Sequence, residues 1–264
     1  MKKGISSNFL KIIAIIIMII DHIASYFYYA FDTDVYYIFR TIGRMAMPIF
    51  AYLIVQGFFY TKNLKKYILR IFIFATITQI CLFIVGFINY LYYPNYWSGV
   101  NNYLGILYSY FLSLILIVFI DKKIIIDKLN ENQNLLIRIS GIILILIIYL
   151  MWNIEYNTVI PFIIVVLYGI EKFFIKDNVL LLKQPKENRL GYKIIYVFLI
   201  FLCLYIATFL VGYSAGYKYA MISSVIFIAL YNGEQGKKNK FLQYVFYAIF
   251  PLQHTLLYLL AMMV

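Results

Sequence analysis

Apolar residues form long, nearly continuous blocks along this 264-residue chain, and short polar breaks separate them. A helix that crosses the hydrocarbon core of a bilayer needs about 20 apolar residues. The predicted spans are residues 8–29, 35–60, 67–91, 103–120, 135–152, 157–175, 193–213, 216–231 and 242–263. The pattern therefore predicts an all-α polytopic membrane protein, a bundle of about nine transmembrane helices that forms one domain over residues 1–264.

The composition agrees with this class. Hydrophobic residues make up 64% of the chain and charged residues 13%, whereas soluble domains usually carry about a quarter charged residues. The mean hydropathy is +0.86. Cys81 and Cys203 both fall in apolar runs, so the sequence supports neither a disulfide framework nor a metal site.

The net charge of +12 is unevenly distributed among the predicted loops. If the N-terminus is cytoplasmic, the outer loops keep a single basic residue, Lys218. The inner face then collects Lys2, Lys3, Lys62, Lys65, Lys66, Arg70, Lys122, Lys123, Lys128, Arg138, Lys172, Lys176, Lys183, Lys186, Arg189, Lys193, Lys237, Lys238 and Lys240. This asymmetry follows the positive-inside rule and predicts a cytoplasmic N-terminus. It explains the charge without a nucleic-acid partner, and such a face also attracts anionic cytosolic ligands.

The polar side chains that remain inside the predicted spans are Lys11, Asp21, His22, Arg40, Arg44, Gln56, Gln79 and His254. A charged group at such a depth costs at least ~2.5–3.5 kcal/mol on insertion scales. These groups are therefore expected to pair with one another or to face a cavity. Gln56 and Gln79 are the members best suited to hydrogen bonding between neighbouring helices.

Helical geometry arranges three of these residues on the first span. Lys11 and His22 lie within about 20° of one face, some 16 Å apart along the axis. Asp21 is turned about 100° from His22, so the two side chains are not expected to form a simple pair.

Arg40 and Arg44 are spaced i, i+4, which places both guanidinium groups on one stripe of the second span. Depth counted along each predicted helix predicts one shared layer in the middle to outer half of the bilayer. Its members are Asp21, His22, Arg44 and His254.

Each of these residues also has a structural interpretation, which the sequence leaves open. His22 can be a neutral, hydrogen-bonded structural histidine, and Asp21 a counter-ion for one of the arginines. Lys11 can extend its amine to the cytoplasmic interface. His254 can pack against a helix kink at Pro251.

Several segments of the sequence resemble the TraX family, which includes the conjugative-pilin N-acetyltransferase. They are LKIIAIIIMIIDHIA, GRMAMPIFAYLIVQGFFYTKNLKKYILRI, and LYNGEQGKKNK followed by FYAIFPLQH. The spacing of Lys11 and His22 also resembles the basic-x10-His pattern of O-antigen-modifying membrane acyltransferases. The resemblance implies acetyl transfer from acetyl-CoA to an amine or hydroxyl, in a multi-pass protein of the bacterial cytoplasmic membrane.

The resemblance and the chemistry of the reaction suggest a role for each residue. His22 is predicted as the general base, because histidine titrates in the required range. Asp21 is predicted to orient Arg44 or another polar partner, and His254 to support the base or relay a proton. Lys11, Arg40 and Arg44 are expected to stabilise the negative charge of the acetyl-CoA donor. An acyl-imidazole on His22 remains an alternative mechanism.

The sequence does not name the acceptor, which can be a peptide, a glycan or a small molecule. Two other classes of function also remain open: a proton-coupled transporter, and a non-catalytic membrane component of a secretion or conjugation system. Buried Asp, His and Arg residues occur in transporters as well. No inverted repeat or matched pair of broken helices is visible in the sequence, which favours the acetyltransferase.

Overall fold

The computed structural model describes residues 4–92, 104–121, 129–176, 189–212, 214–236 and 240–263. Within these ranges almost every residue is helical. Strand-like pairing in this part is limited to two isolated bridges, Ile5 with Tyr231 and Leu104 with Ile154. The predicted all-α class is therefore confirmed.

The helices are α1 (Ser7–Tyr26), α2 (Thr33–Gly43), α3 (Ala46–Tyr60), α4 (Leu64–Tyr92), α5 (Ile106–Ile120), α6 (Glu131–Met151), α7 (Val159–Glu171), α8 (Arg189–Val211), α9 (Ala215–Ser223), α10 (Val225–Ala229) and α11 (Lys240–Ala261). A 3₁₀ turn, Tyr28–Ala30, follows α1, and a π-helical turn, Lys172–Lys176, follows α7. Each predicted span coincides with one of these helices or with two consecutive ones.

Helices long and apolar enough to cross a membrane cover Ser7–Tyr26, Thr33–Tyr60, Leu64–Ile88, Glu131–Met151, Leu190–Val211 and Tyr244–Ala261. Ile106–Ile120 and Ala215–Ala229 are shorter apolar helices. The protein is thus a multi-pass membrane protein, while the number of spans and the cytoplasmic N-terminus stay predictions. Much of the charge pattern that predicts the orientation lies outside the described residues, at Lys2, Lys3, Lys122, Lys123, Lys128, Lys183, Lys186, Lys237 and Lys238.

The second predicted span, residues 35–60, is interrupted. It consists of α2, which ends at Gly43, and α3, which begins at Ala46. Pro48 explains the break, because it has no N–H for the carbonyl of Arg44 and its ring crowds that carbonyl. Arg44 therefore lies at the carboxyl end of a short helix rather than in the middle of a long one.

The eighth predicted span, residues 216–231, is interrupted as well. It divides into α9 and α10 around Ser224. The hydroxyls of Ser223 and Ser224 donate to the carbonyls of Ala220 and Met221, each at 2.7 Å. Serine hydroxyls that bond back to the preceding turn commonly bend helices.

Two compact units are present, residues 1–53 with 169–264, and residues 54–168. In the first unit, α1 packs against α2 and α11, while α9 packs against α2 and α8. In the second unit, α5 packs against α4 and α6, around a core of Leu116, Ile145, Tyr149 and Ile154. The single domain over residues 1–264 stays a prediction.

Large apolar side chains cover the outside of α6. Leu136, Leu144 and Leu150 are 67%, 59% and 84% exposed. A helix in water would hide such residues, whereas lipid tails are as apolar as leucine. This face therefore suits a bilayer.

The segment 230–236 holds the beginning of α1 in place. The N–H of Ile5 donates to the carbonyl of Leu230, and the N–H of Asn232 donates to the carbonyl of Ile5. The carbonyls of Glu234 and Gln235 accept from the N–H groups of Ser7 and Asn8. These contacts satisfy backbone donors that the first turn of a helix otherwise leaves free.

Candidate functional site

Asp21 and His22, adjacent near the end of α1, contact different helices. The carboxylate of Asp21 lies against Arg40 and Arg44, which come from α2 and its carboxyl end. The ring of His22 lies against His254 of α11, with 4.5 Å between ring centroids. The separation follows from the 100° turn between consecutive helical residues, and it divides the site into two parts.

The first part is a charge cluster of Asp21 and Arg44, which are buried, and Arg40, which is partly exposed. Nη2 of Arg44 donates to both carboxylate oxygens of Asp21, at 2.7 and 2.9 Å. Nη1 of Arg40 lies 2.8 Å from Oδ1 of Asp21 and 3.3 Å from its backbone carbonyl. One carboxylate thus holds two guanidinium groups, which satisfies the expectation that charges at this depth pair with one another.

Local backbone structure positions this cluster. A Cβ atom at Gly43 would overlap the side chain of Asp21, so only glycine allows α2 to approach α1 this closely. Nε of Arg44 donates to the carbonyl of Arg40 at 3.2 Å, and a positive charge is favourable at the carboxyl end of a helix. The guanidinium of Arg44 also lies 5.7 Å from the centre of the Tyr217 ring, within the range of a cation–π contact.

The second part is a cluster of two histidines and a tyrosine. The hydroxyl of Tyr26 lies 3.0 Å from Nδ1 of His254. Tyr26 is four residues after His22, so both project from the same face of α1 toward α11. If the tyrosine hydroxyl donates to Nδ1, the proton of a neutral His254 lies on Nε2.

Pro251 interrupts the hydrogen bonding of α11 just before this cluster. The hydroxyl of Thr255 donates to the Pro251 carbonyl at 3.1 Å. Between them, Gln253 is buried beside the His22 ring, yet no contact there meets the geometry of a hydrogen bond. Within the part of the chain that the structure describes, Nδ1 of His22 and both polar atoms of Gln253 are buried without a hydrogen-bond partner.

Lys11 lies away from these two parts. Its amine is 5.5 Å from the centre of the Phe246 ring on α11, and eleven residues separate it from His22, about 16 Å along the helix. Both residues nevertheless face α11, as the shared face of Lys11 and His22 predicts. The structure thus brings Asp21, His22, Arg40, Arg44 and His254 together and leaves Lys11 at the other end of α1.

The two glutamines lie in the second unit. Gln79 accepts from the N–H of Gly105 at 2.9 Å, and Glu155 accepts from the N–H of Ile106 at 3.0 Å. Together they satisfy the amino end of α5. Gln56 is buried, and its Nε2 has no hydrogen-bond partner among the described residues. No group of three His, Cys, Asp or Glu residues in the described ranges could hold a metal ion.

Sequence reasoning missed several polar residues that the structure makes prominent. Tyr26 and Gln253 belong to the histidine cluster. The sequence contained a signal for both, since Tyr26 lies four residues after His22 and Gln253 directly precedes His254. A separate network joins Glu171 of α7, which is buried, to Tyr196 and Tyr52. Tyr196 donates to the Glu171 carboxylate, and its hydroxyl lies 2.9 Å from that of Tyr52.

Comparison with known proteins adds the family. A protein of Dichelobacter nodosus, described as "Probable fimbrial assembly protein FimC, serogroup H1", is 39% identical over 70 residues. That similarity covers 26% of this chain and 28% of the relative, so it spans only part of each protein. No solved structure matches the chain. The family described as "TraX protein" matches residues 6–261, which is nearly the whole chain, and the protein therefore belongs to the TraX family.

Proposed function

We propose that this protein is a membrane acetyltransferase that moves an acetyl group from acetyl-CoA to an amine or hydroxyl acceptor. The observation that carries the proposal is the pair of clusters around Asp21 and His22. A histidine with an unsatisfied nitrogen follows directly on Asp21, which holds the buried Arg44 and the partly exposed Arg40. Acyl transfer needs both features, a base for the acceptor's proton and positive charge for the developing oxyanion.

The reaction balances with these groups alone. The acceptor nitrogen or oxygen attacks the thioester carbon, and His22 takes the proton that the acceptor loses. The tetrahedral intermediate then collapses, the C–S bond breaks, and His22 returns the proton to the thiolate of coenzyme A. His254 lies against His22, 4.5 Å away between ring centroids, and Tyr26 holds His254 in place.

The arginines supply charge for the donor. One carboxylate and two guanidinium groups leave the Asp21 cluster with a net charge of +1. This excess suits a phosphate or an oxyanion, because charge-assisted hydrogen bonds from guanidinium are strong and directional. In this proposal, the amine of Lys11, at the predicted cytoplasmic end of α1, binds the phosphates of acetyl-CoA.

The acceptor belongs, in this proposal, to a pilus or conjugation system in a bacterial cytoplasmic membrane. Support comes from the TraX family and from the partial similarity to a fimbrial assembly protein. A peptide amine, a glycan hydroxyl or a small molecule all fit the same chemistry.

The test is mass spectrometry of pilus subunits and surface polymers from three strains: wild type, a deletion of the gene, and His22→Gln. The proposal expects one acetyl group per acceptor in the wild type and none in the other two. Identical masses in the three strains would contradict it.

The broken helices give the transporter alternative some support. The breaks at Arg44 and Ser224 divide two predicted spans, and discontinuous helices form substrate sites in transporters. Detergent-solubilised protein distinguishes the two functions, because acetyl transfer needs no gradient across a membrane. Acetylated product in detergent favours the acetyltransferase, and its absence together with uptake in proteoliposomes favours the transporter.

A further inference from the structure

We propose that Gln253 binds the carbonyl oxygen of the donor's acetyl group and holds the thioester beside His22. The inference rests on the proposed function and adds a catalytic residue that neither the sequence patterns nor the TraX match assigns. It depends on burial, on unsatisfied hydrogen-bonding groups and on the position of Gln253 in α11.

Gln253 is 5% exposed, and both its amide nitrogen and its amide oxygen are buried. Neither atom has a hydrogen-bond partner in the part of the protein that the structure describes. A buried polar group left unpaired costs about 1–3 kcal/mol, and native proteins contain few of them. A ligand that supplies the missing partners removes this cost.

The neighbouring residues place the carboxamide at the site. Gln253 lies beside the ring of His22, whose Nδ1 is also buried without a partner among the described residues. The next residue, His254, contacts both His22 and Tyr26. Two unsatisfied atoms of Gln253 therefore lie next to an unsatisfied nitrogen of His22, the histidine that the proposed mechanism uses as a base.

The chemistry of the carboxamide selects the ligand. Its nitrogen donates and its oxygen accepts, so the ligand must offer an acceptor and a donor close together. Acetyl-CoA carries both near its reactive end, in the thioester carbonyl and in the first amide N–H of its pantetheine arm. Free coenzyme A keeps the amide but lacks the acetyl carbonyl.

In the transfer step, Nε2 of Gln253 donates a hydrogen bond to the thioester oxygen. That oxygen gains the electron pair of the C=O bond when the acceptor attacks, and it returns the pair when the C–S bond breaks. Gln253 neither gains nor loses a proton. A donor aimed at this oxygen is worth about 10²–10³ in kcat where it has been removed from other enzymes.

The helix fixes the amide in this position. Pro251 lies inside α11 and cannot donate a backbone hydrogen bond to the preceding turn, and the preceding Phe250 packs edge to face on Phe50, at 5.2 Å between centroids. Buried Leu257 holds the following turn. The ligand therefore meets a preorganised amide, which is the arrangement that electrostatic catalysis requires.

The experiment compares purified wild-type protein with Gln253→Met, which has nearly the same volume and no amide. Gln56→Met is the matched control, because Gln56 is also buried with an unpaired Nε2 but lies in the other compact unit. For each protein, the melting temperature is measured without ligand, affinities are measured for acetyl-CoA and for coenzyme A, and the rate of acetyl transfer is measured with labelled acetyl-CoA.

The inference expects Gln253→Met to melt at the same temperature as the wild type or above it, since the substitution removes an unpaired polar group. The ratio of the affinity for acetyl-CoA to the affinity for coenzyme A falls roughly threefold to tenfold, which corresponds to the loss of one neutral hydrogen bond. Acetyl transfer falls about 10²–10³-fold. Gln56→Met leaves the preference and the rate unchanged.

Two results would overturn the inference alone. One is a Gln253→Met protein that keeps the wild-type preference for acetyl-CoA. The other is a lower melting temperature with equal losses for both ligands, which indicates a structural amide bonded through buried water. A wild-type protein that binds neither ligand overturns the proposed function, and this inference with it.

Discussion

Asp21 and His22 are adjacent on α1, yet their side chains have opposite hydrogen-bonding environments. The Asp21 carboxylate accepts from two arginines, with contacts of 2.7–2.9 Å. On the side of His22, Nδ1 and the amide of Gln253 are buried without partners among the described residues. One side of the helix is therefore complete in the protein alone, and the other lacks partners that a ligand can supply.

This difference between the two sides of α1 assigns them different roles, one in stability and the other in ligand binding. Removing one partner of a satisfied buried ion pair strongly destabilises the folded protein, because the remaining charge is left uncompensated. An unsatisfied buried polar group costs stability in the unbound protein, and its hydrogen bonds form when a ligand arrives. Removing the Asp21 carboxylate should therefore reduce stability, and substitutions on the His22 side should reduce activity.

The largest effect is expected for His22→Gln. Glutamine keeps the polarity and approximate size of the residue but cannot act as a base, so acetyl transfer should fall 10²–10⁴-fold, as is typical for a general base. Binding of acetyl-CoA and the melting temperature should stay close to those of the wild type. Steady-state rates with labelled acetyl-CoA measure the loss, and normal transfer would return His22 to a structural role.

Asp21→Asn should act on stability. Two arginines lose their shared carboxylate in a site where Asp21 and Arg44 are each 9% exposed, which costs about 3–5 kcal/mol. Thermal unfolding of the purified protein measures this loss. Asp34→Asn, an exposed acid on α2, is the matched control and should change little. Equal melting temperatures for the two variants would contradict the structural role of Asp21.

Gly43→Ala tests the close approach of α2 to α1. The new Cβ overlaps Asp21, so the variant should lose about 1–3 kcal/mol from overpacking. Gly169 in α7 is the control, because nothing lies within 4 Å of a Cβ built there. Gly169→Ala should gain about 0.5–1 kcal/mol in its helix. A Gly43→Ala protein that is as stable as the wild type would show that the approach at Gly43 is not tight.

The smallest effect is expected for Tyr26→Phe, which removes the hydroxyl that meets His254 at 3.0 Å. One neutral hydrogen bond contributes about 0.5–1.5 kcal/mol, so acetyl transfer should fall severalfold while acetyl-CoA still binds. Tyr29→Phe is the control, since its hydroxyl donates to the carbonyl of Ala261 at an exposed position. A Tyr26→Phe protein with the wild-type rate would remove Tyr26 from the support of His254.

Helical periodicity predicted much of this arrangement. The 100° turn between Asp21 and His22 implied separate partners, and depth along each span implied that Arg44 and His254 come near them, as they do; the depth of these residues in the bilayer stays a prediction. The break before α3 also had a signal, since Pro48 lies four residues after Arg44 and cannot bond to its carbonyl. The apolar run over residues 35–60 is long enough for one continuous transmembrane helix, so the hydrophobic pattern alone did not indicate that break.

Other features depend on tertiary contact. Only the packing of α2 on α1 reveals why residue 43 is glycine, because no local pattern reports the position of the Asp21 side chain. The unpaired amide of Gln253 is likewise a property of its surroundings. A glutamine after a proline in an apolar helix is equally consistent with a lipid interface or with a buried contact.

Thermal unfolding of the wild-type protein with increasing acetyl-CoA tests the central claim most directly, that the unsatisfied side of α1 binds the acetyl donor. A ligand that binds only the folded protein stabilises it by about 2.7 kcal/mol at 100 times its Kd. The account predicts a melting temperature that rises by several degrees as acetyl-CoA saturates, with a similar rise in His22→Gln and a smaller one in Gln253→Met. A melting temperature that is independent of acetyl-CoA at every concentration would contradict it.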